Sequence, residues 1–340
     1  MNEPQTVLSG MRSTGKIHLG NYFGALKNWV ELQDRYRCYY MAADWHALTS
    51  DYADPSQIAS NSIEMVVDWI SAGLDPEKSV IFVQSMVPEH AELHLLLSMI
   101  VPLGWLERVP TFKEQIQQIE NKDLQTYGFL GYPVLQTVDI IIYRAHYVPV
   151  GEDQASHLEI SREIVRRFHH FYGEGVFPEP KALFTPTPKV PGIDGRKMSK
   201  SYGNAINLSD PPEAIRDKCK QMFTDPQRLM RKDPGRPEVC NLYEFHKLMS
   251  PGDVQERVAH ECRAALIGCV DDKKLLAQII IDYLEPMRRR REELLRDRDT
   301  VYDILVEGSK KARERALETM EKVRGAMGLD YRKVLEKVLG

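Results

Sequence analysis

The sequence lacks a dominant charge: 45 Lys and Arg stand against 49 Asp and Glu, a net charge of −4, so no global basic field advertises a polyanionic partner. Any contact with nucleic acid has to come from local clusters such as Arg288-Arg289-Arg290-Arg291 or the stretch from Lys218 to Arg236. The arginine run, followed by Glu292 and Glu293, reads equally well as a solvated helix face. No hydrophobic run approaches membrane-spanning length and the N-terminus carries no signal-peptide pattern, so a cytoplasmic location away from membranes is expected. Cysteine is sparse, and five in 340 residues make no disulfide framework, which leaves reduced thiols or a metal site. Neither GxGxxG nor GxxxxGK followed by Ser or Thr occurs, which removes the two common glycine-rich phosphate loops. His90-Ala91-Glu92-Leu93-His94 places two histidines on one helix face, yet a zinc protease needs glutamate directly after the first histidine, where Ala91 stands. There is no internal repeat and no low-complexity segment.

What is present is length and alternation. A chain of 340 residues with 43% hydrophobic content buries a large core and is expected to form two domains. Thr6 to Ser9 reads as a short strand, Gly10 to Gly15 as a turn, and His18-Leu19-Gly20-Asn21 opens a helix with Tyr22, Phe23, Leu26, Trp29 and Val30 as its apolar positions. A strand at Arg37 to Ala43, a helix over Pro55 to Gly73, a strand at Val80 to Val83 and a helix from about Glu89 to Met99 follow. That alternation predicts an α/β fold with a doubly wound parallel, Rossmann-like sheet whose ligands lie at the carboxyl ends of the strands. After Asn207 the character changes, and Pro211-Pro212 begins a nearly all-helical half with long helices over 272–295 and 308–327. The expected domains are therefore 1–207 and 208–340.

Four places carry chemistry. Lys197-Met198-Ser199-Lys200-Ser201 sits in a glycine-bearing loop that offers two ammonium groups and two hydroxyls to a polyphosphate, although by itself such a loop is most often simply a solvated one. The strand–turn–helix at the N-terminus presents free N–H groups and the positive end of a helix dipole to an anion, with Gly20 allowing close approach. Asp139, between Val138 and Ile140 in an apolar helix, is costly to bury unpaired and marks either a ligand contact or a helix-end hydrogen bond. Asp153 stands at the start of an expected helix after Pro149-Val150-Gly151, where an N-cap carboxylate is the plain reading.

His18-Leu19-Gly20-Asn21 and Lys197 to Ser201 together resemble the paired signatures of class I aminoacyl-tRNA synthetases, the second letter for letter and the first with Asn21 where many members have histidine. Ser9 to Gly15 (SGMRSTG), Asp44 to Thr49 (DWHALT), Gly104 to Lys113 (GWLERVPTFK), Tyr132 to Ile140 (YPVLQTVDI) and Val148 to Gln154 (VPVGEDQ) fall in the order and spacing of tryptophanyl-tRNA synthetases. The resemblance runs from about residue 6 to the C-terminus. It implies a homodimeric tryptophan–tRNA ligase that uses ATP and Mg²⁺ to make tryptophanyl-adenylate and then charges tRNA(Trp). In that scheme Lys197 and Lys200, with Met198, Ser199 and Ser201 of the same motif, serve the departing pyrophosphate. Arg12, Ser13, Thr14, His18, Gly20 and Asn21 hold the nucleotide, Gly151, Glu152 and Asp153 surround the ribose, and Val190 lies under the adenine. Ser13 departs from the proline of many members.

For L-tryptophan the resemblance implies that Asp139 accepts the indole N–H, with Gln136 as a second polar contact in place of an aliphatic residue or methionine. Tyr132 and Gln154 hold the amino group, and His46 and Val150 line the pocket, His46 also reading as a core histidine. An insertion at about 84–130 serves the dimer, and the helical half binds the anticodon. Some bacterial members carry four cysteines for an iron–sulfur cluster. Here Cys240, Cys262 and Cys269 remain, with Asp272 at the fourth place, and three reduced thiols without metal are preferred because carboxylate holds such iron less well. Cys219 completes a set only if the fold brings it near, and Cys38 reads as core. Two alternatives stand beside this reading: a tyrosyl-tRNA synthetase, against which GEDQ and DWH speak, and a non-catalytic regulatory or RNA-binding paralogue, against which the intact Lys197 and Lys200 speak.

Overall fold

The computed structural model describes residues 4–109, 124–151, 155–184 and 189–339. Five parallel strands, β1 (Thr6–Arg12), β2 (Arg37–Ala43), β3 (Ser79–Val83), β4 (Tyr147–Val150) and β5 (Lys181–Phe184), form one sheet in the order β3-β2-β1-β4-β5. The chain winds from β1 outward to β3, then restarts on the other side of β1 with β4 and β5. The reversal between β1 and β4 is a topological switch point, and a crevice opens there at the carboxyl ends. Cys38 to Ala43 of β2 are buried without a break, because helices cover both faces and the alternation of a one-sided strand disappears.

The N-terminal strand runs on through Gly10 to Arg12, three residues beyond the expected Ser9, and the turn follows it, with Gly15 at φ +93°. Gly10 is tolerated inside the strand because β2 lies close: a Cβ there would stand 3.0 Å from the Met41 carbonyl oxygen. The first helix is capped by His18 and continues through a π-helical stretch at Tyr22–Leu26 into Lys27–Leu32. Beneath it, Trp29 stacks on Tyr40 at 4.7 Å and meets Trp69 edge-on at 5.2 Å. Helices Ile58–Ser71, Glu89–Ser98, Tyr132–Ile141 and Ala155–Tyr172 complete the α/β layers. Of the expected insertion, residues 110–123 lie outside the described residues.

The C-terminal half is helical: Pro212–Gln221, Asn241–Met249, Gly252–Arg263, Cys269–Arg296, Arg298–Ala326 and Tyr331–Leu339. The helix expected from 308 begins at Arg298, where the Asp297 side chain accepts from the Thr300 N–H. It packs along the edge strand β3, so closely that a Cβ on Gly308 would stand 1.9 Å from the Ile81 carbonyl oxygen. A helix laid there protects the open edge of the sheet from foreign strands. One continuous apolar cluster joins Val7, Trp29 and Trp69 to Leu276, Ile280, Leu284 and Val301, so the helical half shares a core with the sheet. Among the described residues no helix is long and apolar enough to cross a membrane.

Candidate active site

The turn after β1 is held from several sides. Thr14 N–H donates to the Arg12 carbonyl at 2.8 Å, and the Ser13 hydroxyl, buried, accepts from Ser62 at 2.6 Å. The Arg12 guanidinium donates to Ser50 at 2.5 Å, which ties it to helix Asp44–Asp51, the carrier of His46. At the helix start, His18 Nδ1 accepts from the Asn21 N–H at 3.2 Å while Asn21 Oδ1 accepts from the His18 N–H at 3.4 Å, a reciprocal capping box. Burial, with a smaller push from the Lys200 charge, lowers the His18 pKa to about 4, so the ring is neutral and Nδ1 is free to accept. Gly20 admits no side chain, since a Cβ would stand 2.9 Å from the His18 ring.

The loop of Lys197 to Ser201 closes over this turn. Its base is a bridge between Pro191 and Lys197, with Met198 N–H donating to the Val190 carbonyl at 3.2 Å. Asn204, buried, organises the rest: its Oδ1 accepts from Ser199 N–H at 2.8 Å and its amide donates to Asp194 at 2.7 Å and to the Lys197 carbonyl at 3.2 Å. Gly192 is required beside it, because a Cβ would fall 2.2 Å from the Asn204 amide nitrogen. Met198 is buried against the first helix and acts as the loop's apolar anchor. Ser199 and Ser201 share a hydrogen bond of 2.8 Å, and the Lys197 side chain is exposed. Lys200 reaches across, its ammonium donating to the Thr14 carbonyl at 2.9 Å. Burial lowers its pKa to about 8, opposed by the attraction of Asp68.

The second cluster surrounds Asp139, which is 3% exposed. Its Oδ2 meets His46 Nε2 at 2.7 Å, and its Oδ1 meets both His90 Nδ1 and the Gln84 amide at 2.7 Å. These partners come from three other elements, so the helix-end hydrogen bond considered for Asp139 is not what the fold makes of it. A carboxylate only accepts, hence the histidine nitrogens facing it carry protons. On the far side of the same ring, His90 Nε2 meets the Tyr143 hydroxyl at 2.6 Å. Burial alone would raise the Asp139 pKa, but His46 and His90 outweigh it and hold the carboxyl down to about 2. Oδ1 has two donors and Oδ2 one, so Oδ2 keeps room for another.

Gln136 and Tyr132 are half-buried on the same helix, and Tyr132 lies within electrostatic reach of Arg12. Val150 closes β4 and Gly151 follows it, whereas Glu152, Asp153 and Gln154 lie outside the described residues. Val190, buried, lies beside the loop base. Sequence reasoning missed Gln84, His90 and Tyr143. The HAELH motif was weighed only as a metal site, although its position after the carboxyl end of β3 was a usable signal for ligand chemistry. The Asp44 carboxylate also ties the segment after β3 to the start of the His46 helix, accepting from Ser85 N–H at 3.0 Å.

The cysteine region has a different character. Arg228 Nη1 lies 3.6 Å from Cys262 Sγ and 3.9 Å from Cys269 Sγ, while Nη2 donates to the Ile267 carbonyl at 2.7 Å. Asp272 is held by His246 Nε2 at 3.1 Å, and His246 in turn meets Ser250 at 2.6 Å. Burial raises the Cys240 and Cys262 thiols above their ordinary pKa, which favours the protonated form over the thiolate a metal needs. A cation over two thiols and a committed Asp272 do not fit an iron–sulfur cluster, and among the described residues no group of three or more metal-ligating side chains is arranged to hold a metal. Cys219 is buried beside Lys273. Anaerobically purified protein is accordingly expected to contain well below stoichiometric iron and sulfide. Stoichiometric iron with a broad charge-transfer band would show that Arg228 swings away and the thiols ionise.

Both clusters lie along the carboxyl edge of the sheet, the turn after β1 and the anionic Asp139 cluster beyond β2 and β3. The family described as "tRNA synthetases class I (W and Y)" matches residues 1–285. The tryptophan–tRNA ligase of Thermotoga maritima is 51% identical over 96% of this chain and 99% of its own length, and that of Aquifex aeolicus 43% identical over 95% and 99%. Among solved structures, the tryptophanyl-tRNA synthetase of Campylobacter jejuni complexed with ADP and tryptophan superposes with a TM-score of 0.88 at 33% identity, covering 96% of this chain and 100% of that one. By the length and continuity of these matches, the chain belongs to the class I tRNA synthetases of the tryptophan and tyrosine group, in its tryptophan–tRNA ligase family.

Proposed function

We propose that the chain activates L-tryptophan with ATP and transfers it to tRNA(Trp), with the turn after β1 and the Lys197 to Ser201 loop holding the nucleotide and the Asp139 pocket holding the indole. The observation that carries this reading is the buried Asp139, kept anionic by two imidazoles and one amide and retaining acceptor capacity at Oδ2. An indole N–H is a donor-only group and suits such an acceptor. The tryptophan carboxylate attacks the α-phosphorus, the bond to the bridging oxygen breaks, and pyrophosphate departs with its added negative charge. In the second step the terminal hydroxyl of the tRNA takes the aminoacyl group and AMP leaves. Lys200 and Lys197 stand where cations can meet the departing charge, and the N–H groups of the helix capped by His18 supply a fixed positive end nearby. Mg²⁺ carried on the triphosphate would add further neutralisation, in keeping with its preference for phosphate oxygens over a dedicated protein cage.

Tyr132 and Gln154 are assigned to the tryptophan amino group, Gln136, His46 and Val150 to the pocket wall, and Gly151, Glu152, Asp153 and Val190 to the ribose and adenine. The helical part from about residue 208 is assigned to the anticodon, the segment at about 84–130 to a homodimer contact, and the protein to the cytoplasm. Pyrophosphate exchange measured with each amino acid separately tests the reading. Exchange that depends on tryptophan is expected; dependence on tyrosine would transfer the pocket to that substrate, and no exchange with any amino acid would leave a non-catalytic paralogue.

A further inference from the structure

Asp68 is the one carboxylate in the buried second half of helix Ile58–Ser71, among Met65, Val66, Val67, Trp69 and Ile70, and it is 1% exposed. Both of its oxygens are used: Oδ2 accepts from the Ile17 N–H at 2.9 Å, and Oδ1 accepts from Arg291 Nε at 2.8 Å. Arg291, in helix Cys269–Arg296, also pairs with Glu64, one turn before Asp68. Ile17 immediately precedes His18, the cap of the helix that carries Gly20 and Asn21, and its carbonyl accepts from Leu208 N–H at 2.9 Å. On the other side of the same turn Lys200 holds the Thr14 carbonyl. Residues 14–17 are therefore clasped between Lys200 and Asp68.

Burying a carboxylate and a guanidinium costs several kcal/mol, and a buried ion pair is often replaceable by apolar residues without loss of stability. Stability alone thus gives no reason for Asp68 and Arg291 in a face that is otherwise apolar. Geometry does, because the acceptor at residue 68 fixes the Ile17 N–H, and Arg291 fixes that acceptor. We propose that Asp68 and Arg291 are a positioning pair through which helix Cys269–Arg296 sets the place of the nucleotide-binding turn. Neither touches substrate; Arg291 acts through Asp68, and Asp68 through Ile17 and through its attraction for the Lys200 ammonium. The same helix starts at Cys269, in the part assigned to tRNA, so the pair also joins that part to the ATP site. Arg291 is then spent inside the protein, as is Arg288, which bonds the Ile281 carbonyl at 3.1 Å, leaving Arg289 and Arg290 as the exposed members of the arginine run.

The inference rests on the proposed use of this turn for ATP, and the experiment separates the two. Asp68→Asn keeps an acceptor for Ile17 and removes the charge; Arg291→Met keeps length and removes the partner; Arg291→Lys keeps charge without the fork. Each, the double variant Asp68→Asn with Arg291→Met, and Arg324→Met as a control at another bridge to the sheet half, is assayed for tryptophan-dependent pyrophosphate exchange, ATP binding by calorimetry and Tm. Arg291→Met is expected to lower kcat/KM for ATP by about tenfold, in line with a small misplacement of a binding group, while KM for tryptophan stays within about twofold. Arg291→Lys should fall between it and the unaltered protein. The double variant should lose no more than Arg291→Met, because the two residues act as one unit. Arg324→Met should leave both substrate constants unchanged. Parallel losses for ATP and tryptophan, losses that track Tm across all variants, or losses that multiply in the double would overturn the pair. If exchange is absent throughout, the proposed reaction fails, and the pair is then judged by calorimetry alone: equal ATP affinity in all variants, or no ATP binding at all, overturns it.

Discussion

Asp139→Asn is expected to lower kcat/KM for tryptophan by about 10- to 10²-fold while leaving kcat/KM for phenylalanine nearly unchanged, so that discrimination collapses from the side of the true substrate. The size follows from what the substitution does to a buried acceptor. Asn keeps the shape, yet one of its two polar ends becomes a donor, which faces His46, His90 or Gln84, all of which donate in the native arrangement. Either a donor confronts a donor or the indole N–H goes unpaired, and an unsatisfied buried polar group costs about 1–3 kcal/mol. Asp139→Ala would do more, because it orphans three donors at once, and its Tm should fall with its activity. A tryptophan analogue with sulfur in place of the indole N–H supplies the matching control: it should be rejected by the native protein and much less so by Asp139→Asn. Unchanged discrimination in Asp139→Asn would remove this carboxylate from the pocket. The acid side offers a second check. The Asp139 carboxyl is held down to about 2 from an ordinary 3.8. The stability it contributes is therefore fully present above about pH 4 and is lost as the pH falls toward 2.

What sequence could deliver, and what it could not, divides along the distance over which the physics acts. The strand–turn–helix with His18, Gly20 and Asn21 is local: glycines and apolar spacing lie within one stretch, so the order of its elements could be read directly, though not where the strand ends. The Lys197 to Ser201 loop was visible as chemistry, but the buried Asn204 that shapes it carries no local signal. Asp139 stood out because a carboxylate in an apolar helix needs a partner; which partners it has depends on Gln84, His46 and His90 meeting from three elements. Gly10 looked like the start of a turn and instead sits in a strand, because close approach to Met41 is a property of the neighbouring strand. The arginine run illustrates the same limit. Composition offered a solvated face or an RNA contact, whereas Arg291 is engaged with Asp68 and Glu64 across a boundary that local patterns could not see. In the cysteine region, the resemblance to a four-cysteine motif singled out Cys240, Cys262, Cys269 and Asp272, but neither Arg228 nor His246, which neighbour them, could be placed without the fold.

Lys200→Ala is expected to slow tryptophanyl-adenylate formation by about 10³-fold, some 4 kcal/mol of transition-state stabilisation, while weakening ATP binding only a few-fold. The difference comes from when the charge is needed. Before reaction the ammonium already has a partner in the Thr14 carbonyl, and a bound triphosphate adds one attraction among several from Arg12, the helix start and Mg²⁺. As pyrophosphate leaves, negative charge accumulates on the side facing this loop, and a half-buried ammonium meets it in a medium that screens poorly. Lys200→Arg should recover part of the rate, since the charge returns on a bulkier group. The pH profile gives an independent reading. Burial lowers the Lys200 pKa to about 8, so the free enzyme loses this charge as the pH rises through that value. The kcat/KM for ATP, which reports the free enzyme, should therefore fall above about pH 8, whereas kcat, which reports the ATP complex, should hold to higher pH because the triphosphate favours the charged form. Lys200→Ala should lack the limb in kcat/KM altogether. Equal losses in binding and rate would assign Lys200 to ground-state attraction alone, and an alkaline limb that survives the substitution would belong to some other group.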